Sequence, residues 1–158
     1  MTPQMLHATA VAIDGNGVLL IGPSGSGKSD LALRLIDRGA MLISDDAVEL
    51  RVTGKQPMLA AAPNIAGKLE IRGVGICAVD TANSAPLRMV AELATDVVRM
   101  PDATITTVMA GFDVPLLKLV PFEVSAAIKL EYALRSVVDA GQWPVARTIP
   151  DKAESIKT

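Results

Sequence analysis

Four aromatic side chains, one histidine and one cysteine are all that the 158 residues hold of the types that usually carry stacking, metal or redox chemistry. The rings are Phe112, Phe122, Tyr132 and Trp143. So few rings, with a net charge of −2, exclude the basic, ring-studded surface that single-stranded nucleic acid needs, and no nucleic-acid partner is expected. A lone Cys77 excludes an internal disulfide and a cysteine metal cluster. Within Gly75-Ile-Cys-Ala-Val79 it reads as a small buried apolar side chain. No apolar run reaches the roughly 18 residues of a membrane-spanning helix, and the N-terminus has neither a charged lead nor a cleavage site. A cytoplasmic protein with no membrane association is expected. Half of the residues are hydrophobic (50%) and a fifth charged (20%), the balance of one domain with a substantial core.

What is present in full is a phosphate-binding loop, Gly22, Pro23, Ser24, Gly25, Ser26, Gly27, Lys28 and Ser29, in the pattern G-x-x-x-x-G-K-[ST]. It follows the apolar run Val18–Ile21 and opens an amphipathic stretch from Ser29 to Arg38, so it has the strand–loop–helix context that the motif requires. The glycines let successive N–H groups turn inward to phosphate oxygens, and the helix adds its positive end. Lys28 can reach the outer phosphates, and the Ser29 hydroxyl can ligate Mg²⁺. Binding of ATP, or another nucleoside triphosphate, with Mg²⁺ follows.

Residues 5–13 read as a strand, and Asp14-Gly-Asn-Gly17 as a hairpin turn into Val18–Ile21. The loop helix shows Leu31, Leu35 and Ile36 on one face, with Gly39 as its terminating glycine. Ala40–Ser44 is a buried strand ending at Asp45-Asp46, and Ala47–Val52 is the next. Short strands then follow at 58–62, 69–72, 87–94, 104–109 and 114–120, before a helix over 123–140 that stops at Gly141. A strand-rich middle of this kind predicts an α/β domain with a mixed, largely antiparallel sheet around the loop helix. It argues against the all-parallel plan of common nucleoside kinases and GTPases. Residues 1–143 are expected to be one P-loop catalytic domain, and 144–158 a polar C-terminal tail.

Asp45 and Asp46, at the end of an apolar strand, stand where a P-loop protein holds its metal-region carboxylate. Neighbours on a strand face opposite sides, so the two carboxylates should have different jobs, one towards Mg²⁺ and one towards an attacking hydroxyl. An Asp pair also suits a solvated turn. His7, placed within the first strand, is either a hydrogen-bonded structural residue or a group that tunes a nearby aspartate. Glu70 and Arg72, two apart on a predicted strand, are either a metal carboxylate beside a phosphate-facing guanidinium or a surface ion pair.

Together the loop, Leu35-Ile-Asp-Arg-Gly39, Leu42-Ile-Ser-Asp-Asp-Ala-Val48 and Leu69-Glu-Ile-Arg-Gly-Val-Gly-Ile76 resemble the bacterial HPr kinase/phosphorylase family over roughly residues 5–125. The resemblance implies a catalytic domain related to phosphoenolpyruvate carboxykinase. It implies phosphorylation of a serine of the phosphocarrier HPr, or an HPr-like protein, with ATP and Mg²⁺, and removal of that phosphate with inorganic phosphate as acceptor. By it, His7 is catalytic, Asp45 is the base for the serine hydroxyl, Ser29, Asp46 and Glu70 belong to the metal region, and Arg72 faces phosphate. A homo-oligomer, hexameric in the family, is expected too. Two departures stand out. The chain begins almost at the catalytic strand, like a short form without the family's N-terminal regulatory domain. Leu119-Val-Pro-Phe-Glu-Val-Ser125 stands where the family has an arginine-rich loop. That loss counts against the phosphorylase direction and leaves a second reading, an ATP-binding regulatory module with reduced phosphotransfer.

Overall fold

The computed structural model describes residues 3–63, 67–99 and 105–141, so the tail expected over 144–158 lies outside the described residues. The chain starts with two short strands, β1 (Gln4–Leu6) and β2 (Thr9–Ile13), where a single strand over 5–13 was expected. The break has a topological cause. β1 pairs with β5 (Val48–Thr53), whereas β2 pairs with both β3 (Asn16–Ile21) and β4 (Met41–Ser44), so the chain must change neighbours at His7-Ala8. The hairpin between β2 and β3 is as the sequence predicts. Asp14 and Gly15 both take positive φ, 51° and 79°, the two-residue turn that Asp-Gly favours, with Ile13 opposite Asn16.

Helix α1 (Lys28–Asp37) follows the phosphate loop directly. Its buried stripe is Lys28, Leu31, Ala32 and Leu35, rotated slightly from the face expected, with Ile36 only half-buried. Gly39, at φ 109°, ends it. After β4 and β5 come β6 (Gln56–Ala61), a separate hairpin of β7 (Lys68–Ile71) and β8 (Gly75–Ala78), and the long β9 (Ser84–Leu93). β10 (Ile105–Met109), β11 (Phe112–Leu119) and α2 (Ala126–Ala140) complete the described chain, α2 starting three residues later than the periodicity suggested.

The main sheet runs β1-β5-β6-β9-β3-β2-β4, with β11 and then β10 continuing from β9. Only β3–β9 and β9–β11 are parallel ladders; the others in this sheet are antiparallel. The mixed, largely antiparallel α/β plan expected from the sequence is therefore the one adopted. β9 is its spine, pairing with β6 along its first residues and with β3 and β11 further on.

Successive residues of β3 go to opposite faces. Val18 and Leu20 join α1 and α2 in one core with Leu31, Leu35, Met89 and Leu130, while Leu19 enters a second core with Ile43, Leu50, Leu59 and Val90. Both faces of the central strands are thus covered, which explains why Val18-Leu-Leu20 is uninterruptedly apolar. α2 seals the first core through Ala126, Ala127, Leu130, Ala133 and Leu134. Leu130 is fully buried, so Leu130→Ala is expected to cost about 2–5 kcal/mol, read as a lower urea midpoint at unchanged m-value. Among the described residues no helix is long and apolar enough to cross a membrane.

Candidate active site

The sheet topology assembles the site. β2 lies antiparallel to both β3 and β4, so the first residue of β2 meets the last residues of the other two. Thr9 opens β2 opposite Leu20, the phosphate loop begins just past the end of β3, and Asp45 follows directly on β4. Three separate segments converge at one edge of the sheet.

Within the loop, Gly27 precedes α1 at φ 101° and no side chain caps the helix, which leaves its first-turn amides available to an anion. The Ser26 amide closes the loop on the Pro23 carbonyl at 3.0 Å. The Ser26 hydroxyl is buried without a partner among the described residues, and it lies against Gly22, where a Cβ would come within 2.7 Å of it. Only glycine fits there. Lys28 is 6% exposed, and its ammonium donates to the carbonyls of Gly22 (2.7 Å) and Pro23 (3.0 Å), folded back across the loop.

Asp45 is likewise only 6% exposed. Its Oδ1 accepts hydrogen bonds from Ser29 Oγ (2.8 Å) and Thr9 Oγ1 (2.9 Å), tying the loop helix, β2 and β4 through one carboxylate oxygen. Asp46 is different. It takes a positive φ of 65° in a tight turn closed by the Ala47 amide on the Asp45 carbonyl (2.8 Å), and its side chain is exposed. Ser44 braces the turn, donating to the Ala47 carbonyl (2.6 Å) and accepting from the Ala62 amide (3.2 Å). The different environments expected for the two aspartates are present, although they arise from a turn past the strand end and not from strand alternation.

His7 does not lie within a strand; it sits exposed at the bend between β1 and β2. The flanking register nevertheless brings it close to the aspartates. Leu6 pairs with Val48 and Ala10 with Ser44, so the bend at residues 7–9 faces the turn at residues 45–47. Glu70 and Arg72 stand on the β7–β8 hairpin, which packs against α1. Both are exposed, β7 ends at Ile71, and Arg72 belongs to the turn before Gly73, so the two do not share a strand face as expected. No salt bridge joins them among the described residues. The same hairpin carries Cys77, which is half-buried where full burial was expected.

Three participants escaped the sequence reading. Thr9 is one; a hydroxyl heading the otherwise apolar run of β2 was the available signal. The others are Phe122 and Arg34. The Phe122 ring edge rests on Gly27, with Cζ 2.9 Å and Cε1 3.0 Å from where a Cβ would stand. Arg34 donates to the carbonyls of Pro121 and Glu123 on either side of that ring. The Glu123 carboxylate, which replaces an expected arginine, is held by Lys129 at 2.7 Å.

The donor set suits a hard cation bound together with a phosphate ligand. Among the described residues no three His, Cys, Asp or Glu side chains cluster as a metal cage. Mg²⁺ does not require one, since it usually takes one or two carboxylates plus water and substrate phosphates. Ser29 Oγ and the Asp45 carboxylate, 2.8 Å apart beside the loop, fit that pattern.

Comparison with known proteins bears on the family and the fold. The model of the HPr Serine kinase C-terminal domain matches residues 1–101. An HPr kinase/phosphorylase of Caldanaerobacter subterraneus subsp. tengcongensis is 47% identical over 83 residues, which cover 51% of this chain and 27% of that protein. One from Chlorobium phaeobacteroides is 36% identical over 129 residues, covering 73% of this chain and 38% of its own length. The chain thus spans well under half the length of these relatives. Among solved structures, the HPr(Ser) kinase/phosphatase of Coxiella burnetii superposes with a TM-score of 0.73 at 28% identity, covering 84% of this chain and 95% of that one.

Proposed function

This chain belongs to the HPr serine kinase C-terminal domain family, and from that premise we propose that it is an ATP- and Mg²⁺-dependent protein-serine kinase acting on HPr or an HPr-like phosphocarrier. The observation that carries the proposal is the single buried oxygen of Asp45 shared by Ser29 and Thr9 beside an uncapped phosphate loop. The loop amides and the α1 terminus would take the phosphate chain. Lys28 would exchange the Gly22 and Pro23 carbonyls for phosphate oxygens, keeping its short, charge-assisted contacts. Ser29 and Asp45 would hold Mg²⁺, which when bound neutralises charge on the transferring group.

The division of labour between the aspartates follows from exposure. A carboxylate that is 6% exposed and bonded through one oxygen to two hydroxyls is less open than Asp46 to a serine on another protein. Asp46, exposed on its turn and facing the bend that carries His7, is open to one. We therefore assign the base to Asp46, with His7 beside it, and the metal side to Asp45, the reverse of what the resemblance implied. In the transfer step Asp46 takes the serine proton as the serine oxygen bonds to the γ-phosphorus and the bond to ADP breaks in line. Glu70 and Arg72, on the hairpin that packs against α1, would add a metal-region carboxylate and a phosphate-facing guanidinium.

The second reading, a nucleotide-binding regulatory module, draws on the loop before α2, where Glu123 is paired with Lys129 and no arginine is present. Incubation with γ-labelled ATP, Mg²⁺ and cognate HPr separates the two. Label on an HPr serine is the expected result; tight ATP binding without transfer would establish the module instead. Adding inorganic phosphate and phospho-HPr tests the reverse direction, and light scattering on the same preparation tests the proposed homo-oligomer.

A further inference from the structure

We propose that Phe122 is the platform on which the nucleobase stacks, and that Arg34 is the positioning residue that fixes it there; this rests on the nucleotide-binding reading above. Phe122 is one of four aromatic residues in the chain, yet it is 68% exposed. Exposure alone assigns it no role, since Tyr132 is 64% exposed as well. What sets Phe122 apart is that its edge touches the phosphate loop itself: Cζ and Cε1 stand 2.9 and 3.0 Å from the Cβ position of Gly27. Contact through an edge leaves the faces of the ring free to stack.

The backbone on either side of the ring is also held. Arg34, on the helix that the phosphate loop opens, donates to the carbonyl of Pro121 and, at 3.3 Å, to that of Glu123, the two residues flanking Phe122. Arg34 is itself braced one turn back by Asp30 at 3.0 Å. The Glu123 carboxylate is drawn away to Lys129, so no bare negative charge is aimed at the phosphates. Phe122 therefore keeps its place relative to the same helix terminus that would bind the phosphates, and a nucleotide seated there carries its base past the loop towards the ring. A ring has no donors or acceptors with which to tell bases apart, so ATP and GTP should bind within about threefold of each other.

The test is the Kd of MgATP and of inorganic tripolyphosphate, by calorimetry, on the wild type and on Phe122→Ala, Phe122→Trp and Arg34→Ala. Phe122→Ala should weaken ATP by about tenfold and leave tripolyphosphate within about twofold. Phe122→Trp should retain ATP affinity, and Arg34→Ala should reproduce the selective loss of ATP. Equal weakening of both ligands would make the ring a mere buttress of the loop and overturn the proposal. So would unchanged ATP binding, including the case in which Phe122→Ala raises only the KM for the acceptor protein, which would assign the ring to acceptor docking. In either case the kinase reading would survive. A wild type that binds neither ligand would remove that reading and the platform together.

Discussion

Asp46→Asn is expected to lower the rate of phosphoryl transfer to the acceptor serine by about 10²- to 10⁴-fold, the usual contribution of a positioned base, while MgATP still binds within a few-fold of wild type. The substitution keeps shape and polarity. It leaves intact the turn, which is held by main-chain and Ser44 bonds and not by the Asp46 side chain. It removes only the ability to take a proton. The companion change, Asp45→Asn, should behave differently. An amide can still accept from Thr9 and Ser29, but the charge beside the Ser29 hydroxyl is gone. The loss should therefore fall on the Mg²⁺-dependent part of ATP binding, measured as the ratio of ATP affinity with metal to that with a chelator. Near-normal transfer by Asp46→Asn, together with an inert Asp45→Asn that binds MgATP normally, would return the base to Asp45.

The features legible in the sequence are those fixed by local chemistry. The phosphate loop needs its glycines and lysine in order, Asp14-Gly15 sets a hairpin by its own φ preferences, and the apolar run Val18–Ile21 announces the strand that precedes the loop. The features that escaped depend on partners remote in the chain. Residues 5–13 read as one strand; the break at His7 is imposed by β5 and β4, some forty residues on. Thr9 acquires its role only because Asp45 arrives opposite it, 36 residues later. Arg72 fell the other way, since Ile71 is the last residue of β7 and the chain turns at Gly73, φ 85°. Phe122 looked like a bare loss of arginine, because nothing in its neighbourhood reveals that Arg34, on α1, holds both adjacent carbonyls.

Lys28→Met should reduce transfer by about 10²- to 10³-fold even at saturating ATP, the scale on which removing one fixed stabiliser of developing charge acts. Methionine matches the buried stem of a side chain that is 6% exposed, so the helix stripe of Leu31, Ala32 and Leu35 keeps its neighbour. The cost in stability comes from the Gly22 and Pro23 carbonyls, which lose their donor, and is expected to be about 1–2 kcal/mol. The two effects separate two roles for this lysine. If its ammonium served only to hold the loop closed, as the two carbonyl bonds by themselves would allow, the variant would unfold at a lower urea concentration yet turn over normally once saturated with ATP. A lysine that leaves those carbonyls for the γ-phosphoryl group predicts the opposite balance, with a modest loss of stability and a kcat that added nucleotide does not restore. Measuring kcat and the urea midpoint on one preparation therefore decides whether the folded-back ammonium is a clamp or the resting position of a group that acts in transfer.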